Sequence, residues 1–444
     1  MKKSKTTFKW KLALFNFAVI MSVSSLYAQE VVEEKEDPSE PKSIALYLNK
    51  EKTKYLWVNI LGQTEANFRN EQVEFNVKRM QLFLSAKVSD RILLSTYFTT
   101  SNLNSRTLES SAQGNGNQVS LNGLYLDVDL IPGKFRVGAG LHYVNGISRL
   151  TNYSSFTSMT YDAPGGANLG DGFYPAWWGY GYSDQFSSPL GVYAIGDFGK
   201  FHYQVSINNS MVNNFASDYG NNTITGDYTY QGNYFFKGID KGKASMNYQG
   251  YFEYQFLDKE WHEYTFRKGT YMGSKSVFNI GAGFFYQPNA FIRSTSGASI
   301  VAPTEAQLLS NQVSTTAATS FAIDAFYDAP LGNGAINTYL AWYHNDFGEK
   351  GAVYGTGSGT ALYGQLGYLL PVTLGKKTKL MPYLAYMSQN FDHTPNNSYE
   401  GSLGLNLFFY SHKLKLTPEY VFGKKGTANA ETDSYFRMML TMSL

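Results

Sequence analysis

The stretch YFRMMLTMSL, residues 435–444, decides the fold. Phe436, Met438, Leu440, Met442 and Leu444 fall on one parity, and Arg437, Met439, Thr441 and Ser443 on the other. A period of two is a β-strand with unlike faces. Last residues are usually polar and loosely held, so apolar side chains running to the final position call for a reason. A strand that closes a barrel supplies one: pairing with the first strand leaves no edge open to lipid.

The same alternation recurs upstream. In FNVKRMQLFLSAKV (75–88), Met80, Leu82, Leu84, Ala86 and Val88 oppose Arg79, Gln81, Ser85 and Lys87. Leu124, Leu126, Val128 and Leu130 oppose Tyr125, Asp127 and Asp129, while Phe201, Tyr203, Val205 and Ile207 oppose His202, Gln204, Ser206 and Asn208. About sixteen such segments can be placed from residue 54 onward, among them 276–287 and 320–328. Short connections such as Ser89-Asp90, Pro132-Gly133 and Gly199-Lys200 alternate with long ones at 102–118, 145–189, 211–243 and 288–319. An all-β transmembrane antiparallel barrel with short periplasmic turns and long extracellular loops has this rhythm. One connection, 257–275, is long and charged; it is counted with the long rim and suggests a further hidden strand.

Composition agrees. The chain has 35 Tyr, 31 Phe and 42 Gly, only 16% charged residues, and no Cys, which excludes disulfides and thiolate chemistry. Residues 1–28 open with Lys2, Lys3, Lys5, Lys9 and Lys11, then an apolar run, then Ala28, and read as a secretory signal peptide. Its removal leaves 32 basic residues against 35 acidic ones, which gives no electrostatic case for nucleic acid. Residues 29–53 form an acidic, solvated leader segment, and 54–444 the barrel. The expected location is the outer membrane of a Gram-negative bacterium, with membrane lipid around the barrel.

FNVKRMQLFLSAKVSDRILLSTYF, NGLYLDVDLIPGKFRVGAGLHYVNGISRL, GYFEYQFLDKE, KSVFNIGAGFFYQ, YGQLGYLLP and KLKLTPEYVFG together resemble the phosphate-selective porin O and P family in its Bacteroidetes form. The resemblance implies a sixteen-stranded porin, assembled as a homotrimer, that passes small hydrophilic solutes or ions, with anions such as phosphate among them. The basic loop cluster of the phosphate-selective members has no counterpart in this sequence.

If the polar parity faces the lumen, the pore-lining candidates are Arg79, Lys87, Arg91, Asp127, Asp129, Arg136, His142, His202, Glu253, Asp324, Lys415 and Glu419. Charge ladders of this kind set selectivity, or pair across strands within the wall. Segment 145–189 occupies the place of the porin constriction loop. Its candidates are Arg149, Asp162, Asp171, Tyr174, Trp177 and Trp178, and its aromatics either line the pore or pack the interface. Catalytic signals are weak: the six His are scattered without metal-ligand spacing, and GTGSG (355–359) lacks a strand-to-helix setting. No cofactor is expected. The alternative function is a barrel with a plugged lumen that serves as scaffold or subunit of a larger assembly.

Overall fold

The computed structural model describes residues 44–69, 71–103, 119–162, 189–209, 223–230, 246–260, 262, 264–301, 305–308, 310–353, 356–375 and 377–444. Sixteen long strands make the wall. They are Tyr55–Arg69 (β1), Gln72–Lys87 (β2), Ile92–Leu103 (β3), Ser120–Ile131 (β4), Phe135–Leu141 (β5), Leu190–Phe198 (β6), Phe201–Asn209 (β7) and Met246–Gln255 (β8). Val277–Ser294 (β9), Val313–Leu331 (β10), Gly334–Asp346 (β11), Gly359–Leu369 (β12), Thr378–Phe391 (β13), Ser398–Phe408 (β14), Leu414–Lys424 (β15) and Asp433–Ser443 (β16) complete it. Each strand pairs antiparallel with the next. β16 returns to β1, with Leu61 opposite Ser443 and Phe68 opposite Phe436. The barrel is closed, so every ladder has a partner.

Parity separates the two faces. In β16, Phe436, Leu440 and Met442 are exposed, while Arg437, Met439, Thr441 and Ser443 are buried. In β10, Phe321 and Ile323 face out and Ser320, Ala322 and Asp324 face in. The outer face carries aromatic residues towards both rims. Phe198, Phe201, Tyr254 and Phe256 sit near the short turns, and Tyr248, Tyr286, Trp342 and Tyr386 nearer the long loops. This is the girdle of a membrane-embedded barrel wall.

Three expectations need correction. β9 and β10 are longer than 276–287 and 320–328, because pairing resumes beyond a bulge, from Phe291 opposite Thr316 to Ser294 opposite Val313. The bulge holds Pro288 and Asn289, the latter at φ 52°, and it throws the alternation out of phase. The leader is described from residue 44, where Ile44–Tyr47 pairs with Val58–Tyr55 instead of running free in solvent. β16 covers β1 only from Leu61 upward, so this short strand fills the edge left over. Finally, 257–275 belongs to the short-turn rim, since β8 descends in the same sense as β2, β4 and β6. It holds no strand among the described residues; it enters the barrel.

Candidate functional site

Two loops meet inside the lumen, one from each rim. The long-rim loop, described over 142–162, is buried almost throughout. It is tied to itself first. Val144 N–H donates to His142 Nδ1 at 3.1 Å, which leaves Nε2–H to donate to Asn208 Oδ1 at 2.9 Å. Asn145 and Asn152 exchange hydrogen bonds of 3.1 and 2.8 Å, and Thr151 Oγ1 donates to the Gly146 carbonyl at 2.7 Å. The tip is a single 3₁₀ turn, Arg149–Asn152. The wall is shaped for it: a Cβ on Gly283 would overlap the Ile147 carbonyl.

Arg149 joins the two loops. Its guanidinium reaches Glu260 of the short-rim loop (256–276) through both carboxylate oxygens, at 2.6 and 2.7 Å, and also donates to the Lys268 carbonyl at 2.7 Å. It lies 3.8 Å over the Phe326 ring, a desolvated cation–π contact worth about 2 kcal/mol. Glu260 also accepts from Tyr271 Oη and Asn279 Nδ2, each at 2.6 Å. Burial raises the Glu260 carboxyl, but Arg149 outweighs it and holds the group well below the usual carboxylate range. The Arg149 backbone N–H donates to Asp324, which Tyr251 and Tyr339 also satisfy, at 2.7, 2.9 and 2.7 Å. Backbone bonds Ser154 N to Arg267 O at 2.9 Å and Arg267 N to Asn152 O at 2.6 Å zip the loops side by side.

The far end of the long-rim loop is clasped to the opposite wall. Asp162 accepts from Arg79 at 2.9 Å, with Lys78 at 3.8 Å. Two consecutive residues face inward there because a bulge after Gln63 skips Lys78 in the β1–β2 register. Lys415 Nζ donates to the Ser158 carbonyl and Asn406 Nδ2 to the Met159 carbonyl, both at 2.6 Å. The loop therefore crosses the lumen, from β9 and β10 on one side to β1, β2, β14 and β15 on the other.

A third cluster lies near the short rim. His202 and His262, 60 residues apart in sequence, lie 3.9 Å apart between ring centroids with their planes tilted by 40°, and both hydrogen-bond Asp197, at 2.8 and 3.5 Å. Arg267 donates to His262 Nε2 and, at 2.7 Å, to Glu253. Among the described residues two sets of side chains, Asp197 with His202 and His262, and Glu253 with Glu260 and His262, have a geometry that could accept a metal ion; here both sets are tied to guanidinium groups or to one another. Burial, then Arg267, pushes the His262 imidazole down to about 4. The unfolded loop protonates first on acidification, so the stability that neutral His262 provides above pH 6.5 is lost as pH falls to about 4, roughly 3 kcal/mol in all. Protease cleavage within 256–276 should thus increase across that interval, and His262→Gln should flatten the profile. A profile unchanged by the substitution would assign it to another group.

Each sequence candidate has a place. Arg79, Asp127, His142, His202, Glu253, Asp324, Lys415 and Glu419 are buried on the inner parity. Lys87, Arg91, Asp129 and Arg136 line a 270 Å³ cavity at the short rim, with Asp127, Asp197 and His262. Arg149 and Asp162 are brought into the loop clasp, whereas Asp171, Tyr174, Trp177 and Trp178 lie outside the described residues. Sequence reading missed Lys78, Glu260, His262, Arg267 and Tyr271. For the last four the available signal was the charge of 257–275 itself, read as a hidden strand.

No protein-family model matches the chain, and no curated protein matches it. Solved structures do. OprB of Pseudomonas putida, in a high-pH structure, aligns with a TM-score of 0.52 at 11% identity, over 87% of this chain and 93% of that one. OmpF of Salmonella typhi, in complex with daunomycin, aligns at 0.51 and 10% identity, over 90% of this chain and 100% of that one. Identities this low speak to fold alone. The chain has the fold of the outer-membrane porins: a closed, sixteen-stranded antiparallel β-barrel, with almost no helix among the described residues.

Proposed function

We propose that this protein is an outer-membrane porin whose channel passes small hydrophilic solutes around two inserted loops. The observation that carries the reading is an inner face on which buried charged and polar side chains, mixed with aromatics and alanines, surround a loop clasped across the lumen. A barrel of this strand number encloses more cross-section than wall side chains fill, and the outer apolar face suits membrane lipid. Residues 1–28 would direct export, and 29–53 would lead into the wall. The twelve inner-face candidates would line the path. Most of them are already engaged with loop or wall, so they shape the channel more than they bind solute.

Phosphate selectivity, which the family resemblance carries, finds little support among the described residues. Arg79, Arg149, Arg267 and Arg437 each face a carboxylate: Asp162, Glu260, Glu253 and Glu419. Homotrimer assembly rests on the resemblance. The clasp itself favours a second reading, a barrel plugged by its own loops that serves a larger assembly. Liposome swelling separates the two. A porin narrowed in this way admits a pentose quickly and a trisaccharide hardly at all; folded barrels that admit neither would establish the plugged reading.

A further inference from the structure

We propose that the short-turn mouth of the barrel, its periplasmic side, holds a binding site for a planar aromatic carboxylate. The inference deepens the porin reading by naming a solute class, and rests on that reading only for the solute's being cargo. A cavity of about 780 Å³ lies there, within the ~300–1,000 Å³ of small-molecule sites. Ser154–Thr157 of the long-rim loop form its ceiling, the short-rim loop one side, and the start of β1 the other.

Two features of the lining point to the ligand. The first is aromatic. Trp57, Phe83 and Tyr264 stand mutually 5.4 Å apart between ring centroids, an apolar, edge-rich wall on which a flat ring can pack. The second is charge without a counterion. Lys268 and Lys275 flank the Tyr271 ring at 5.3 and 5.5 Å, and Lys52 enters from the opposite side, over Tyr47 at 5.3 Å. Among the described residues none of these ammonium groups pairs with a carboxylate; Lys275 donates to the Lys259 carbonyl at 2.7 Å. Among the described residues Glu260 is the one acid of the lining, and Arg149, Tyr271 and Asn279 already consume its oxygens. Burial, then Lys275, pulls the Lys268 ammonium below its ordinary value, and Glu260 offsets them only in part. A ring carrying a carboxylate meets both features. A free phosphate would leave the aromatic wall unused, and a neutral sugar would leave the lysines uncompensated.

The test is calorimetric titration of the full folded barrel in detergent with 2-naphthoate, 2-naphthylmethanol and inorganic phosphate. Naphthoate should bind at least tenfold more tightly than the alcohol and the phosphate. The Lys268→Gln/Lys275→Gln variant, both positions being on the loop surface, should lose about tenfold for naphthoate, some 1.4 kcal/mol. It should bind the alcohol unchanged, which also shows that the pocket still forms. Equal affinities for acid and alcohol, or an unaltered naphthoate affinity in the variant, would overturn the site. Titration does not require an open channel: a barrel that binds naphthoate but admits no sugar keeps the site and loses the porin reading, and the converse loses only the site.

Discussion

Replacing Arg149 with alanine is expected to increase single-channel conductance several-fold and to destabilise the docked loops by about 3–5 kcal/mol. The substitution removes the bidentate partner of Glu260, at 2.6 and 2.7 Å, and strands a carboxylate inside the barrel. A buried ion pair is costly to desolvate, so its net worth is modest, but breaking it on one side is severe because the remaining charge has nowhere to go. Arg149→Lys should fall between, since an ammonium can neutralise Glu260 but cannot grip both oxygens and the Lys268 carbonyl at once. Arg149→Met combined with Glu260→Leu should restore much of the stability and the low conductance, because no buried charge is then left unpaired, although Tyr271 Oη, Asn279 Nδ2 and the Lys268 carbonyl each lose a partner. Conductance histograms and thermal unfolding in detergent read these outcomes. An Arg149→Ala barrel with unaltered conductance and melting would mean that the loops are held by something other than this pair.

Replacing 259–275 with an Asn-Gly turn should have the larger effect on the pore and the smaller one on the wall. The β8–β9 ladder continues past the strand ends, with Phe256 N bonded to Phe278 O at 2.8 Å and Asp258 N to Ser276 O at 2.9 Å. The register for a tight hairpin is therefore already in place. What disappears is the second loop: Glu260, Arg267 and Tyr271, with the aromatic contacts of Tyr264 to Trp57 and Phe83 at 5.4 Å. The long-rim loop keeps its clasp to Arg79, Lys415 and Asn406 but loses its floor. Conductance should rise several-fold while the barrel still refolds. In that background Arg149→Ala should add little, because its partner has gone; full additivity would show that the two loops act independently.

The wall was legible because each strand separates lipid from lumen, so the parity of β16, with Phe436, Leu440 and Met442 out and Arg437, Thr441 and Ser443 in, is written into the chain. Legibility failed where that parity slips. The bulge that brings Lys78 in beside Arg79 looks, in sequence, like one residue on the wrong face. The bulge at Gln287–Phe291 likewise made the ends of β9 and β10 read as loop. Arg149 and Glu260 are 111 residues apart, and no local pattern says that loops from opposite rims will meet. His202 and His262 are far apart in the chain for the same reason, and come together through the fold of the short-rim loop.

The central claim is that the barrel is a channel narrowed by two joined loops, and single-channel recording of the refolded protein in a planar bilayer under a KCl gradient tests it most directly. The account predicts stable, discrete steps of low conductance that grow several-fold when 259–275 is replaced by a turn. A correctly folded barrel that stays silent both with and without that loop would contradict it and leave the plugged scaffold as the function.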